Sequence, residues 1–506
     1  MADILFTHSY FYKFDAKQWK TAQPYPPYGT LYAAALMRSL GYEVALFDTG
    51  LADSPAELPR ILAQEKPRYL VLYDDGFNYL TKMCLTRMRE AAFDMAKMAK
   101  QQGCTVIVNS SDSTDHYAEY LAQGADFVIL GEGELGLREL VATLDAAGQQ
   151  REGAGDFGVE ERWPGVDFSK ILGIAYLAGQ AMPLKNPPRP VLHDLDSLPD
   201  PAWDLVDMEA YRQIWMRQHG YFALNLATTR GCPYKCNWCA KPIYGNRYNS
   251  RSPERVVGEI RMLMERHGVR HFWMADDIFG LKPGWVQRFR DLVLAENLRF
   301  SYKIQSRVDL LLKEDSIAAL AASGLRQVWV GAESGSQKIL DAMDKGTTVA
   351  EIRQATQLLK KQGVEVCFFL QFGYLGEEKA DIEATLRMVE ELQPHDIGVS
   401  VSYPLPGTKF YEKVKNMLGD KQNWEVSDDL AMMYPATFSP AYYRRLHRLV
   451  HKRFRLQQGK AALRQLLRQG RGDLRQALRS LYYAPAAALD RWRLQRLEKT
   501  AQHAKP

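Results

Sequence analysis

Six cysteines in 506 residues are too few to staple a chain of this size, and three of them fall within eight positions. That spacing excludes a secreted disulfide scaffold and points to bound metal in a reducing compartment. Long hydrophobic runs are also missing. None approaches the roughly 20 apolar residues that span a bilayer, and Met1 to Leu5 reads as the start of a strand, not as a secretory leader. Hydrophobic residues make up 46% and charged residues 25%, the ordinary proportions of a folded soluble protein, which excludes collagen-like and disordered classes. The length suggests roughly two to four domains. A cytoplasmic multidomain protein is expected.

Acidic residues are scarce in one place. Residues 441–506 hold 17 Lys and Arg against 3 Asp and Glu, a local net of +14, whereas the other 440 residues carry 48 against 57, a net of −9. A mildly acidic body thus carries a basic tail, and the two need separate explanations.

Residues 1–150 alternate short apolar runs (Ile4–Thr7, Glu43–Asp48, Tyr69–Tyr73, Thr105–Val108, Phe127–Leu130) with helical patterns. Strict alternation predicts a doubly wound parallel sheet whose ligands sit off the carboxyl ends of its strands. Those ends carry His8, Asp74 to Phe77, Asn109-Ser110-Ser111-Asp112 and Gly131-Glu132-Gly133-Glu134. Residues 151–221 are punctuated by Pro187, Pro188, Pro190, Pro199 and Pro201 and read as a linker. Six further strand–helix units over 222–415 begin at Ala223, His271, Ser301, Gln327, Val364 and Gly398, which suits a (β/α)6 partial barrel with its site at the strands' carboxyl ends. Residues 416–506 read as helical, interrupted at Gly470-Arg471-Gly472.

The first barrel strand runs into Thr228-Thr229-Arg230-Gly231-Cys232-Pro233-Tyr234-Lys235-Cys236-Asn237-Trp238-Cys239. Three thiolates spaced C-x3-C-x2-C at a strand's end can hold three irons of a 4Fe-4S cluster and leave the fourth iron open. Zinc wants a fourth ligand, and no further His or Cys lies close in sequence. The other cysteines, Cys84, Cys104 and Cys367, sit among apolar residues and read as buried small hydrophobes.

Over roughly residues 222–410 the chain resembles the radical S-adenosylmethionine (SAM) enzymes, whose cluster motif is CxxxCxxC. The resemblance implies that Cys232, Cys236 and Cys239 hold a 4Fe-4S cluster, whose open iron binds SAM and whose electron cleaves it to a 5′-deoxyadenosyl radical. It further implies SAM contacts from Trp238 near adenine, Asp276 and Asp277 at the amino group, Arg307 and Glu333 at ribose and carboxylate, and the Gly373 loop against adenine. Pro24 to Gly29, Gly131 to Glu134 and Leu195 to Pro199 resemble the branch with a cobalamin-binding domain. That implies cobalamin as a second cofactor, met by Asn109, Ser110, Gly131 and Glu132. Two features depart from the branch: there is no DxHxxG motif to supply a histidine below cobalt, and Asn109 to Asp112 replaces a glycine-rich loop. Cys239 to Gly245, Arg251 to Glu254, Phe369 to Tyr374 and Tyr403 to Thr408 are similar to the anaerobic magnesium-protoporphyrin IX monomethyl ester oxidative cyclase clade.

The implied activity is functionalisation of an unactivated carbon of a small apolar molecule, by oxidative cyclisation or oxidation. Cobalamin-dependent C-methylation is the alternative within the class, and a non-catalytic corrinoid or redox sensor the alternative outside it. A flavodoxin or ferredoxin reductase is the expected electron donor. Tyr211, Trp215, Tyr221, Tyr244 and Tyr248 gather near the cluster loop as pocket or core, and Lys241 and Arg247 can meet a substrate carboxylate or solvent. The tail interleaves Arg and Leu, as in Leu463-Arg464-Gln465-Leu466-Leu467-Arg468. Such helices can lie on anionic membranes; no nucleic-acid-binding module accompanies the charge, and nucleic acid is not an expected partner.

Overall fold

The computed structural model describes residues 1–148, 159–178, 182–420, 423–427, 429–469 and 473–503. They divide into two compact units: Met1–Tyr234, Lys241–Ile304 and Asn423–Asp429 form the first, and Lys235–Ala240, Gln305–Gln422 and Leu430–Pro506 the second. The expected class is met: parallel α/β sheets, then a helical C-terminal region.

The first unit begins with seven strands, β1 (Ile4–Thr7), β2 (Val44–Phe47), β3 (Tyr69–Tyr73), β4 (Thr105–Asn109), β5 (Phe127–Ile129), β6 (Ile174–Ala178) and β7 (Met182–Lys185), in the order β2-β1-β3-β4-β5-β6-β7. Strands β1 to β5 are parallel, with Ile4 opposite both Val44 and Tyr69. The sheet is covered on both faces, so β3 is buried at every position as Tyr-Leu-Val-Leu-Tyr. Period-2 alternation sends Ile4, Phe6, Val71 and Ile107 into one apolar layer and Leu5, Leu70, Leu72 and Val106 into the other.

The stretch expected as a linker contributes to this core. β6 and β7 add antiparallel to β5, and Trp163, Phe168 and Tyr176 cluster on Phe127. Five apolar residues ahead of a proline-rich run were too short a signal against that composition. A helix over Met208–His219 follows, capped by Asp207 and ended by Gly220. The segment 151–158 and the boundary at residue 150 lie outside the described residues.

The first unit also carries β8 (Ala223–Leu226), an antiparallel pair of two-residue strands, β9 (Thr229–Arg230) and β10 (Asn249–Ser250), then β11 (His271–Met274), parallel to β8 and to the start of β12 (Ser301–Ser306). The second unit holds the end of β12, then β13 (Leu325–Glu333), β14 (Glu365–Phe372) and β15 (Asp396–Val401), with β14 parallel to both its neighbours. The helices between strands follow standard capping. Pro253–His267, for example, opens on the Ser252 side chain with Pro253 in its first turn and stops at Gly268 in the left-handed region. Helices Pro440–Gln469 and Leu474–His503 form an antiparallel hairpin: Arg445 and Lys452 meet Asp490, and Gly459 lies against Gln476 and Ser480. The expected break at Gly470 to Gly472 lies outside the described residues. Among the described residues no helix is long and apolar enough to cross a membrane.

Candidate active site at the carboxyl ends of the barrel strands

In the first unit, Asp276 at the end of β11 fastens the entry to the cysteine loop. Its Oδ1 accepts the N–H groups of Thr228 and Thr229 at 2.7 and 2.9 Å, and its Oδ2 accepts the Thr228 hydroxyl at 2.5 Å. Burial raises its pKa to about 6, against the lowering effect of those donors. The carboxylate expected to hold an amino group is thus already bonded to the loop that carries the cysteines. Asp277 pairs with Lys82 at 2.5 Å and stays partly exposed. Gly231 has φ +78, and a Cβ there would lie 2.4 Å from the Arg247 carbonyl oxygen, so no other residue fits beside Cys232. None of the six cysteines is in a disulfide; Cys84, Cys104 and Cys367 are buried and the three motif thiols are half-buried.

The second unit gathers Cys236, Trp238, Arg307 and Glu333. Arg307 Nη1 lies 3.8 Å from Cys236 Sγ, its Nε pairs with Asp309 at 2.9 Å, and its Nη2 donates to the Lys345 carbonyl at 2.8 Å. Lys345 Nζ donates to Glu333 Oε1 at 2.8 Å, and both side chains are buried. Burial alone would lower the Lys345 pKa; the charges of Glu333 and then Cys236 outweigh it and raise the value. The same ammonium lies 6.0 Å from the centre of the Trp238 ring. Glu333 has φ +53, a conformation that costs a non-glycine residue energy and concentrates at functional sites. A Cβ at Gly331 would come within 2.5 Å of both Glu333 Oε1 and Lys345 Nζ, so the glycine makes room for the pair. Asn237 anchors the loop by donating to the Ala342 carbonyl and accepting from Tyr374 Oη and from the Phe410 N–H. Trp238 Nε1 is buried without a partner.

Among the described residues no three His, Cys, Asp or Glu side chains converge on one point, as ligands of a single ion do. A four-iron cluster asks for less, because each thiolate meets a different iron. Within the second unit, two half-buried thiols, a guanidinium against one of them and a buried indole donor without a partner are compatible with cluster thiolates and an adenosyl ligand. Residues 226–389 match the Radical SAM superfamily. The chain carries a radical SAM domain. It is 27% identical over 405 residues to an uncharacterized methyltransferase of Pyrococcus horikoshii, covering 79% of this chain and 81% of that protein. It is 26% identical over 421 residues to the anaerobic magnesium-protoporphyrin IX monomethyl ester cyclase of Rubrivivax gelatinosus, covering 83% and 70%. The structure of the cobalamin-dependent S-adenosylmethionine radical enzyme OxsB with aqua-cobalamin bound shares the fold at TM-score 0.72 and 15% identity, over 98% of this chain and 72% of that one. A radical SAM domain is an enzyme's catalytic core, and its cofactors are a 4Fe-4S cluster and SAM.

Lys345 is the member of this group of side chains that the sequence did not reveal. Between Asp344 and Gly346 it has the local look of a solvated turn, and only tertiary burial brings it onto Glu333 and Trp238. Lys345→Met should keep its iron but bind SAM about 10- to 100-fold more weakly, as outer-shell substitutions at metal sites do. Equilibrium dialysis against SAM with reconstituted protein checks this; unchanged binding would remove Lys345 from the site.

Beyond β14, Gly373 donates its N–H to Glu377 Oε2 at 2.6 Å, and its carbonyl accepts Tyr434 Oη at 2.6 Å. Glu377 is fully buried, and its Oε1 has no partner, nor do Gln371 Oε1 and Tyr443 Oη. Burial pushes Glu377 up to about 8 from an ordinary 4.5; Asp381 adds to the rise, while the Gly373 N–H and Lys338 oppose it. The carboxyl that fixes the Gly373 loop is therefore mainly protonated at neutral pH. A raised native pKa stabilises the fold below pH 4.5 and loses that contribution as pH climbs through 8. Glu377→Gln should flatten this fall, which urea titrations between pH 5 and 9 will read.

The N-terminal sheet has the strand order 2-1-3-4-5, so its topological switch point lies between β1 and β3. There Ser9 donates its N–H and hydroxyl to Asp74 at 2.7 and 2.8 Å, and burial raises Asp74 to about 6. A small cleft opens beside them, lined by Ser9, Phe11, Phe14, Leu85, Met88 and Val426. The four residues expected to meet a corrin lie at the ends of β4 and β5, where the sequence places them, and their polar groups are spent on the protein. Asn109 Nδ2 donates to the carbonyls of Ile129 and Gly131, Ser110 Oγ accepts the Ser113 N–H as a helix cap, and the Gly131 N–H reaches Thr114. Glu132 pairs with Arg230. The polar groups of all four are thus paired within the protein, and the switch point between β1 and β3 lies at other strand ends. His8 is likewise held by Asp48 and Thr49, and Lys241 by the Tyr234 carbonyl and Asn246. Tyr211 and Trp215 are buried core, while Tyr221 is 37% exposed.

Proposed function

We propose that this radical SAM enzyme oxidises or oxidatively cyclises an unactivated carbon of an apolar small molecule. The carrying observation is the grouping of the half-buried Cys236 and Trp238 with the buried Arg307, Lys345 and Glu333. In this reading Cys232, Cys236 and Cys239 hold the cluster, and Arg307 steadies the Cys236 thiolate. Glu333 and Lys345 together present a fixed dipole to SAM, and the Trp238 indole N–H donates to it. The Gly373 loop, clamped by Glu377 and Tyr434, closes over the adenine. A cluster held by these cysteines would supply one-electron reduction for SAM cleavage, with these side chains holding SAM in place for it. Likeness to the cyclase of Rubrivivax gelatinosus supports cyclisation or oxidation; likeness to the Pyrococcus methyltransferase supports methyl transfer as the second reading.

Cobalamin is proposed as second cofactor on the likeness to OxsB. No step is assigned to cobalt, because the side chains named for it are paired within the protein. A flavodoxin or ferredoxin would supply electrons, and an apolar substrate would be met at a lipid surface by the basic C-terminal region. Anaerobic protein supplied with iron, sulfide and cobalamin should hold about four irons. In reduced turnover, 5′-deoxyadenosine alone indicates oxidation or cyclisation; S-adenosylhomocysteine beside it indicates methyl transfer. Absence of SAM cleavage would overturn both.

A further inference from the structure

Nineteen large apolar side chains are exposed among the described residues, and eight of them fall between Leu463 and Trp492. The core does not use these side chains, and they are not scattered. On helix Leu474–His503, Leu474, Leu478, Leu481, Tyr482, Leu489 and Trp492 fall within an arc of about 100° at 100° per residue. Ala487, Asp490 and Leu494 on the opposite side are buried. Gly459 lies against Gln476 and Ser480. The hairpin therefore brings Leu463 and Leu467, from the last turns of the preceding helix, to the same end as Leu474 and Leu478. Leu467 is 79% and Leu481 72% exposed.

Seven arginines share this span, Arg464, Arg468, Arg475, Arg479, Arg491, Arg493 and Arg496, the last stacked on Trp492 at 4.4 Å. The acidic residues in the same span are Asp473 and Asp490, and Asp490 is already neutralised by Arg445 and Lys452 at 2.7 Å each. A phosphate-rich nucleic acid would satisfy the arginines but leave six aligned apolar side chains in water. An apolar protein groove would bury the leucines but leave seven guanidinium groups to be desolvated. Anionic lipid meets both demands at once, and Tyr482 and Trp492 have the amphipathic rings that settle at the headgroup level.

We propose that the exposed face of the C-terminal helical hairpin is a docking surface for an anionic bilayer, with Leu467, Leu474, Leu478, Leu481, Tyr482 and Trp492 entering the interface. The proposal rests on the hairpin alone and not on the chemistry of the cluster, so either can fail without the other. The test is cosedimentation of the full-length protein with phosphatidylcholine vesicles, with and without phosphatidylserine, at low and high salt. Binding is expected to phosphatidylserine vesicles, weakening at high salt, with little on phosphatidylcholine alone. Leu467→Glu/Leu481→Glu, both at highly exposed positions, should weaken it at least about tenfold while leaving the thermal midpoint unchanged. Wild-type protein that ignores phosphatidylserine vesicles would overturn the proposal, as would a variant that binds them equally. Size-exclusion chromatography in which the substitutions abolish a wild-type dimer would also overturn it, in favour of a second copy of the chain.

Discussion

Cys236→Ala protein, reconstituted anaerobically and reduced, should produce no detectable 5′-deoxyadenosine from SAM, whereas the wild type produces it without added substrate or with it. The loss should be complete, because removing one of three protein thiolates removes a corner iron's only ligand from the chain. Cys236 is the informative choice of the three. Its sulfur faces Arg307 at 3.8 Å, and that guanidinium is fixed by Asp309 and by the Lys345 carbonyl. Arg307→Met should keep the fold but lower cluster content and SAM cleavage, because it removes the guanidinium that lies against Cys236 and ties it to the Lys345 carbonyl. Cys367→Ala is the control: Cys367 is fully buried on β14 and its loss should leave iron content and SAM cleavage intact. A Cys236→Ala protein that still cleaved SAM would remove the cluster assignment from this motif.

Much of the fold was legible because alternation in a two-sided parallel sheet is a strong local signal. The six strand–helix units over 222–415 follow that alternation, and helix Pro253–His267 starts and stops at the local signals of Ser252, Pro253 and Gly268. What local signals could not carry was tertiary. Strands β6 and β7 are a short hairpin that becomes a strand pair only by adding to β5. The β2-β1-β3 order, which puts the topological switch point beside Ser9 and Asp74, is a property of pairing and not of any segment. The same holds at the site. Cys236, Trp238, Arg307 and Glu333 were nameable one strand end at a time, and they do lie together. Lys345 and Arg230 were not nameable, because a charged residue in a polar loop reads as solvated until something buries it. The Leu–Arg interleaving of the tail was plain, yet only the hairpin's geometry separates its buried face from its exposed one.

Arg230 carries the largest expected effect on stability. It stands two residues before Cys232, 4% exposed, with Glu134 Oε1 at 2.6 Å and Glu132 Oε1 on its other nitrogen. The rings of Tyr32, Phe77 and Tyr244 surround the guanidinium at 5.5 to 5.6 Å. Burial alone would raise the Glu132 pKa, and Arg230 is the main opposing influence. Arg230→Met leaves two desolvated carboxylates facing each other, and breaking a buried ionic set from one side costs about 3–5 kcal/mol. The sign of the pH dependence identifies the cause. Without Arg230 the already raised Glu132 pKa loses its main lowering influence and rises further, so the variant should be least impaired near pH 5 and progressively worse toward pH 8. Adding Glu132→Gln and Glu134→Gln should recover much of the loss at pH 8, since neutral amides carry no such charge penalty. Urea denaturation of the full chain at both pH values reads each step. A cost below about 1 kcal/mol, or one independent of pH, would mean that water reaches these carboxylates and that the aromatic enclosure does not isolate them.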